Sequence, residues 1–129
     1  MIDAKLLAQS TTQGKSMKNQ TIEAFTTRLG SPTRETNKAL AWNITSGYGV
    51  VVQIDQPQSG EHALVWLPYN SDALEQLVME KTLYPEDKGR HSNTYASPGL
   101  SKGEKAIRVK LQTNDDLANL ISYLFDSFI

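Results

Sequence analysis

The order of apolar and polar positions divides the chain into helix-like and strand-like stretches. From Asn19 the apolar residues Ile22, Phe25 and Leu29 recur at helical spacing, and Gly30, Ser31 and Pro32 follow as a stop signal, which predicts a first substantial helix. Ahead of it, Asp3 can cap a short helix over 3–9 with Leu6 and Leu7 as its apolar stripe, and the polar run 9–18 reads as a linker or mobile arm. Leu40, Trp42 and Ile44 then alternate with Ala39, Ala41, Asn43 and Thr45, the period-two pattern of a half-buried strand. Ser46 and Gly47 supply a turn before Tyr48, Val50, Val52 and Ile54 share a second such face, so a hairpin is expected. After a breaker-rich turn from Gln56 to Gly60, His62, Leu64 and Trp66 alternate with Ala63, Val65 and Leu67 until Pro68 ends the ladder. The centre of the chain is therefore expected to be a three-stranded meander.

Ser71 can cap a second helix whose first turn carries Asp72 and Glu75 and whose side bears Leu74, Leu77, Val78 and Lys81, with an end near Leu83. Later, Ile107, Val109 and Leu111 alternate with Ala106, Arg108 and Lys110, a fourth strand with one core face and one basic face. Thr113 and Asp116 resemble a capping box with a shorter acid, and Leu117, Leu120, Ile121, Leu124, Phe125 and Phe128 form a broad apolar stripe on a third helix. This order predicts an α+β domain spanning 1–129. Its mainly antiparallel four-stranded sheet, a meander plus a later strand, has helices packed on one face, in the order α-β-β-β-α-loop-β-α.

Between the second helix and the fourth strand lies YPEDKGRHSNTYASPGLSKGEK, Tyr84 to Lys105, almost devoid of apolar residues. Connections in compact domains usually run to about 4–6 residues, and one this long is commonly functional or disordered. Tyr84, Tyr95 and Leu100 are spaced to anchor it on the sheet, and Pro85 and Pro98 restrict its unfolded freedom.

Composition narrows the classes. At 129 residues, with 39% hydrophobic and 21% charged positions, the chain can bury one core. It has no cysteine, which excludes disulfides, thiolate metal sites and cysteine nucleophiles. The opening MIDAKLLAQS lacks the basic flank and long apolar core of a signal peptide, and no apolar run approaches the roughly 20 residues of a membrane span. A cytoplasmic, non-membrane protein is the expectation, in which the Asn-x-Thr triplets at Asn19 and Asn43 are chance. The net charge of −1 hides a segregation. Residues 1–40 hold six Lys or Arg against three acids, 41–80 hold five acids and no Lys or Arg, 81–110 hold seven basic residues against three acids, and the remainder holds three aspartates. A locally basic face attracts polyanions whatever the net charge, although opposite blocks can also neutralise one another in the fold.

Candidate chemistry concentrates in the long connection. Gly14, Lys15 and Ser16 spell the end of a phosphate-binding loop, but the motif requires glycine where Gln9 stands and a strand before it, so it is rejected. Glu86 and Lys88 have the Glu-x-Lys spacing of metal-dependent nucleases without the strand and upstream acid that chemistry requires. His62 and His91 are too few for a histidine-only zinc site, and no metal or cofactor is expected. A nucleophile pairing of His91 with Ser92 or Ser97 lacks any sign of an orienting third group. The densest set of donors, acceptors and rings is Arg90, His91, Asn93 and Tyr95. Arg90 can grip phosphate or carboxylate, Asn93 a base edge, and Tyr95 can stack on a base. The residue pattern alone leads to a small nucleic-acid-binding module, DNA included, that contacts phosphates through Lys88, Arg90, Lys102, Lys105, Arg108 and Lys110. The second reading is a protein-interaction module of adaptor, inhibitor or immunity type using the same connection, with a heterologous partner or a homodimer. An enzyme ranks third.

Overall fold

The computed structural model describes residues 16–55, 60–84, 94–101 and 103–128. Helix α1 runs Met17–Leu29 and is capped at both ends. Ser16 Oγ accepts the Asn19 N–H at 3.1 Å, and Gly30, at φ 83, donates its own N–H to the Thr26 carbonyl at 2.8 Å. The helix starts before Asn19, so Ser16 to Lys18, which the polarity pattern assigns to the arm, belong to it. Met17 and Lys18 are buried, and Lys18 Nζ donates to the Ile54 carbonyl at 2.8 Å, which lets a lysine stem pack in the core. The rest of the arm, 9–15, and the helix expected over 3–9 lie outside the described residues.

The strands are β1 (Arg34–Glu35), β2 (Ala39–Thr45), β3 (Tyr48–Gln53), β4 (Ala63–Pro68), β5 (Glu80–Tyr84) and β6 (Ala106–Leu111); α2 (Ser71–Gln76) follows β4, and α3 (Asn114–Phe128) follows β6. They form one antiparallel sheet in the order β1-β2-β3-β4-β6-β5. The α+β class and the meander stand as expected, but the sheet has six strands where four were expected. Strand β1 is too short to show alternation and is held by Thr33, whose N–H and Oγ1 both donate to the Ala41 carbonyl.

Strand β5 corrects the second helix, which ends at Gln76 and not near Leu83. Asn70, and not Ser71, is its cap, with Oδ1 accepting the Asp72 N–H at 2.8 Å. Leu77 adopts extended backbone at ψ 127, and Asn119 of α3 fixes the break. Its Nδ2 donates to the Gln76 carbonyl at 3.2 Å and its Oδ1 accepts the Val78 N–H at 3.0 Å. A side-chain amide thus stands in for the next turn of helix. Lys81 Nζ donates to the Leu77 and Met79 carbonyls, and the chain runs on as Glu80–Tyr84 beside β6.

One face of the sheet carries Trp42, Val50, Val52, Val65, Leu67, Ile107, Val109 and Leu111 against Phe25 of α1, Leu77 after α2, and Leu120 and Leu124 of α3. Phe25 stacks on Trp42 with centroids 5.3 Å apart, and Trp42 Nε1 donates to the Gly30 carbonyl at 2.9 Å, locking the end of α1 to β2. Thr113 caps α3 as expected, its Oγ1 accepting the Asp116 N–H, and the acid reaches one residue past the cap, to the Gln112 N–H at 2.9 Å.

The helices lie on one face, but the opposite face is buried too, where a half-buried sheet was expected. Ala39, Ala41, Val51, Trp66 and Ala106 lie under Leu100, which is fully buried. The stretch Tyr84 to Lys105 is therefore not one free loop. It begins in β5, and residues 94–100 return as a strap with Thr94 and Ser97 buried. The strap closes on β3 at Gly49, whose N–H donates to the Pro98 carbonyl at 2.8 Å, and a Cβ there would stand 2.9 Å from both Pro98 Cδ and Ser97 Cβ. Arg34 Nη2 donates to Ser97 Oγ at 2.9 Å from the other side.

Replacing Leu120 or Leu124 by alanine is expected to cost about 2–5 kcal/mol in denaturant unfolding, the range for a fully buried leucine. Gly49→Ala is expected to cost about 1–3 kcal/mol by overpacking against the strap. Amide exchange at Leu100, whose N–H donates to the Ser97 carbonyl, should rise with it if the strap is what moves.

Candidate functional site

Pairing register decides which expected residues meet. In β6 the core takes 107, 109 and 111, so Arg108 and Lys110 share the opposite face. Arg108 lies between Trp66 of β4 and Thr82 of β5, and Lys110 between Leu64 and Glu80. The Arg108 guanidinium stands 5.6 Å from both the Trp66 and Tyr84 ring centroids, and the two rings are themselves 4.8 Å apart. Cation–π attraction on both sides holds it against the sheet. Trp66 is 1% exposed and donates Nε1 to Gln53 Oε1 at 2.9 Å, so its ring is structural and closed to an incoming base.

His62 continues this face. Burial and the Lys110 charge, with a smaller push from Arg108, lower its pKa below the usual histidine value, while Glu61 and Glu80 pull the other way. Burial leads this shift, and Lys110 and Arg108, two of the expected site residues, add to it from the same face. Lys105 does not join them: its Nζ stands over the Tyr69 ring, 5.1 Å from the centroid, where the Tyr69 N–H also meets the Lys105 carbonyl. Tyr95 is half-buried within the strap. Lys88, Arg90, His91, Asn93 and Lys102 lie outside the described residues.

Other described cations also turn to the protein. Arg34 bonds Ser97, Lys18 and Lys81 bond main-chain carbonyls, and Arg28 lies 5.4 Å from the Phe125 centroid. Arg28 also lines a shallow groove of about 580 Å³ between α1 and α3, together with Ala24, Leu117 and Ile121. Deeper in the core, the phenols of Tyr48 and Tyr123 sit against each other; burial raises both pKa values and Tyr123 raises that of Tyr48 further, so both stay protonated. Among the described residues no group of three or more His, Asp or Glu converges on a point that could hold a metal, and no helix is long and apolar enough to cross a membrane.

A second surface went unread in the residue pattern because its residues were assigned to a helix. Strand β5 ends the sheet with only β6 beside it among the described residues. The hairpin of α2 and β5 exposes Val78 at 72% and Leu83 at 46%, with Leu74 and Tyr69 also open to solvent. The signal that could have found β5 is the set Val78, Thr82 and Tyr84, strand-favouring residues in a stretch otherwise helical by period.

With this geometry in hand, comparison with known proteins adds no family: no family model matches the chain, and neither does any curated protein or solved structure.

The histidine gives a pH test. An unfolded histidine titrates near 6.5, and His62 in the fold titrates lower. Above that range both states are neutral; below it the unfolded chain takes up the proton first, so stability falls as pH falls through about 6.5. Unfolding midpoints for the parent and His62→Gln on either side of this pH should diverge, the variant losing less on the acid side. Parallel profiles would mean that His62 titrates alike in the folded and unfolded chain.

Proposed function

We propose that the chain is a small protein-interaction module that presents the α2–β5 edge of its sheet to a partner. The observation that carries this reading is the edge itself. Folded proteins usually blunt sheet edges, since a row of unpaired N–H and C=O groups is a template for another strand. Strand β1, at the opposite edge, is blunted by its length of 2 residues, whereas β5 runs for 5. Val78 and Leu83, exposed just before and within this strand, add apolar surface to the edge. The inward engagement of Lys18, Arg34 and Lys81 counts in the same direction, since a backbone-tracking nucleic-acid site keeps its cations free for phosphate.

An anionic ligand, with nucleic acid as its polymeric form, is the second reading, favoured by the shared face of Arg108 and Lys110 with His62 continuing it. The two readings separate in a pull-down of the full chain with and without nuclease, run for the parent, for Val78→Glu/Leu83→Lys and for Lys110→Glu. The expected result is nuclease-resistant capture of protein that the edge variant loses and Lys110→Glu keeps. Capture that disappears with nuclease and with Lys110→Glu would overturn the edge reading in favour of the second. In that event binding to short oligonucleotides should weaken with salt and lose about one unit of log–log salt slope per phosphate contact removed.

A further inference from the structure

We propose that the occupant of the β5 edge is the β5 edge of a second copy of this chain, paired antiparallel about Thr82 into one continuous sheet across a twofold axis. This deepens the interaction-module reading and rests on it. A twofold axis normal to the sheet keeps both helix layers on the same side, and it brings residues of the same face opposite each other. Only registers centred on a residue satisfy it, so β5 offers five.

Side-chain chemistry separates the five. Centring on Glu80 or on Lys81 sets a like charge against itself, which is destabilising for directly opposed positions. Centring on Leu83 or Tyr84 brings Pro85 of the mate into the ladder, and proline has no N–H to give. Centring on Thr82 engages the whole strand, with Glu80 opposite Tyr84 of the mate, Lys81 opposite Leu83, and Thr82 opposite itself. No like charges meet. Lys81 and Leu83 lie on the helix side of the sheet, as their register with Val109 and Ile107 requires, so the lysine stem of one copy covers the exposed leucine of the other. On the far side a phenol faces a carboxylate and a threonine pair closes the centre. The same patch serves both copies, as an isologous contact demands.

The chain has no cysteine, which makes the register directly readable. In the Thr82-centred pair the two Cα atoms at position 82 stand about 4.5–5.5 Å apart, within the reach of a disulfide. Leu83→Cys instead faces Lys81 and lies diagonally from its mate. The parent is expected to run as a dimer by light scattering, and Thr82→Cys to cross-link with oxidised glutathione while Leu83→Cys does not. Leu83→Lys, facing Lys81 of the mate, should give a monomer of unchanged circular dichroism. Leu83→Glu, facing the same lysine, should stay a dimer. A monomeric parent, equal cross-linking of both cysteine variants, or identical behaviour of the two charge variants would each overturn the self-pairing. If a monomeric parent still captures a different protein through Val78 and Leu83 after nuclease treatment, self-pairing falls while the interaction-module reading stands; if capture is lost as well, both fall.

Discussion

The architecture depends on the insertion of β6 between β4 and β5. That strand pairs along its whole length with Ala63 to Pro68 on one side and, from Ala106 to Lys110, with Glu80 to Tyr84 on the other. Without it the meander would end at β4, and the α2–β5 hairpin would have no sheet to join. Its two faces are committed as well. Ile107, Val109 and Leu111 complete the helix-side core, and Ala106 is small enough to let Leu100 close over Trp66. Pairing residues so distant in sequence defers the reward for closing the chain until late in folding. The meander, whose strands pair with their neighbours in sequence, is the part able to form before it.

What the residue pattern showed and what it hid both follow from where the information resides. Alternation in 39–45, 48–53 and 106–111 and the apolar stripe of α3 are properties of single segments, and those elements appear where the pattern puts them. The end of α2 is not such a property. Leu74, Leu77, Val78 and Lys81 keep helical spacing, and the break after Gln76 is imposed by an amide forty-odd residues away in α3. The second buried face was hidden for a related reason. Ala39 and Ala41 look like a weakly apolar outer face until a strap containing Leu100 lies on them; Leu100 was legible as an anchor on the sheet, but not the strands it would cover. For the candidate site, the joint placement of Arg108 and Lys110 was legible from period two, whereas the separation of Lys105 was not, since it depends on the end of a strand and on Tyr69.

The segregated charge blocks resolve into local neutralisation as much as into a basic face. Glu80, from the acidic block, stands in register with Lys110 of the basic one, and the ring contacts of Arg28, Lys105 and Arg108 take cations from all along the chain onto aromatic surfaces. Guanidinium and ammonium groups held this way keep their charge but lose reach. A flexible polyanion would meet a fixed relief of positive points, and only ligands matching that relief would gain much from it.

Asn119 joins two layers by two hydrogen bonds to one short piece of backbone. The length of α2 is consequently a property of the assembled domain and not of its own residues. A peptide cut from residues 70–84 keeps the helical spacing of Leu74, Leu77, Val78 and Lys81 beside the strand-favouring Val78, Thr82 and Tyr84, so once α3 is taken away nothing in it fixes where helix ends and strand begins. The boundary between helix and strand at Leu77 thus works as a register mark. Sliding α3 by one residue along its axis would carry the amide past both groups it holds, and the edge of the sheet would lose its definition together with the helix end.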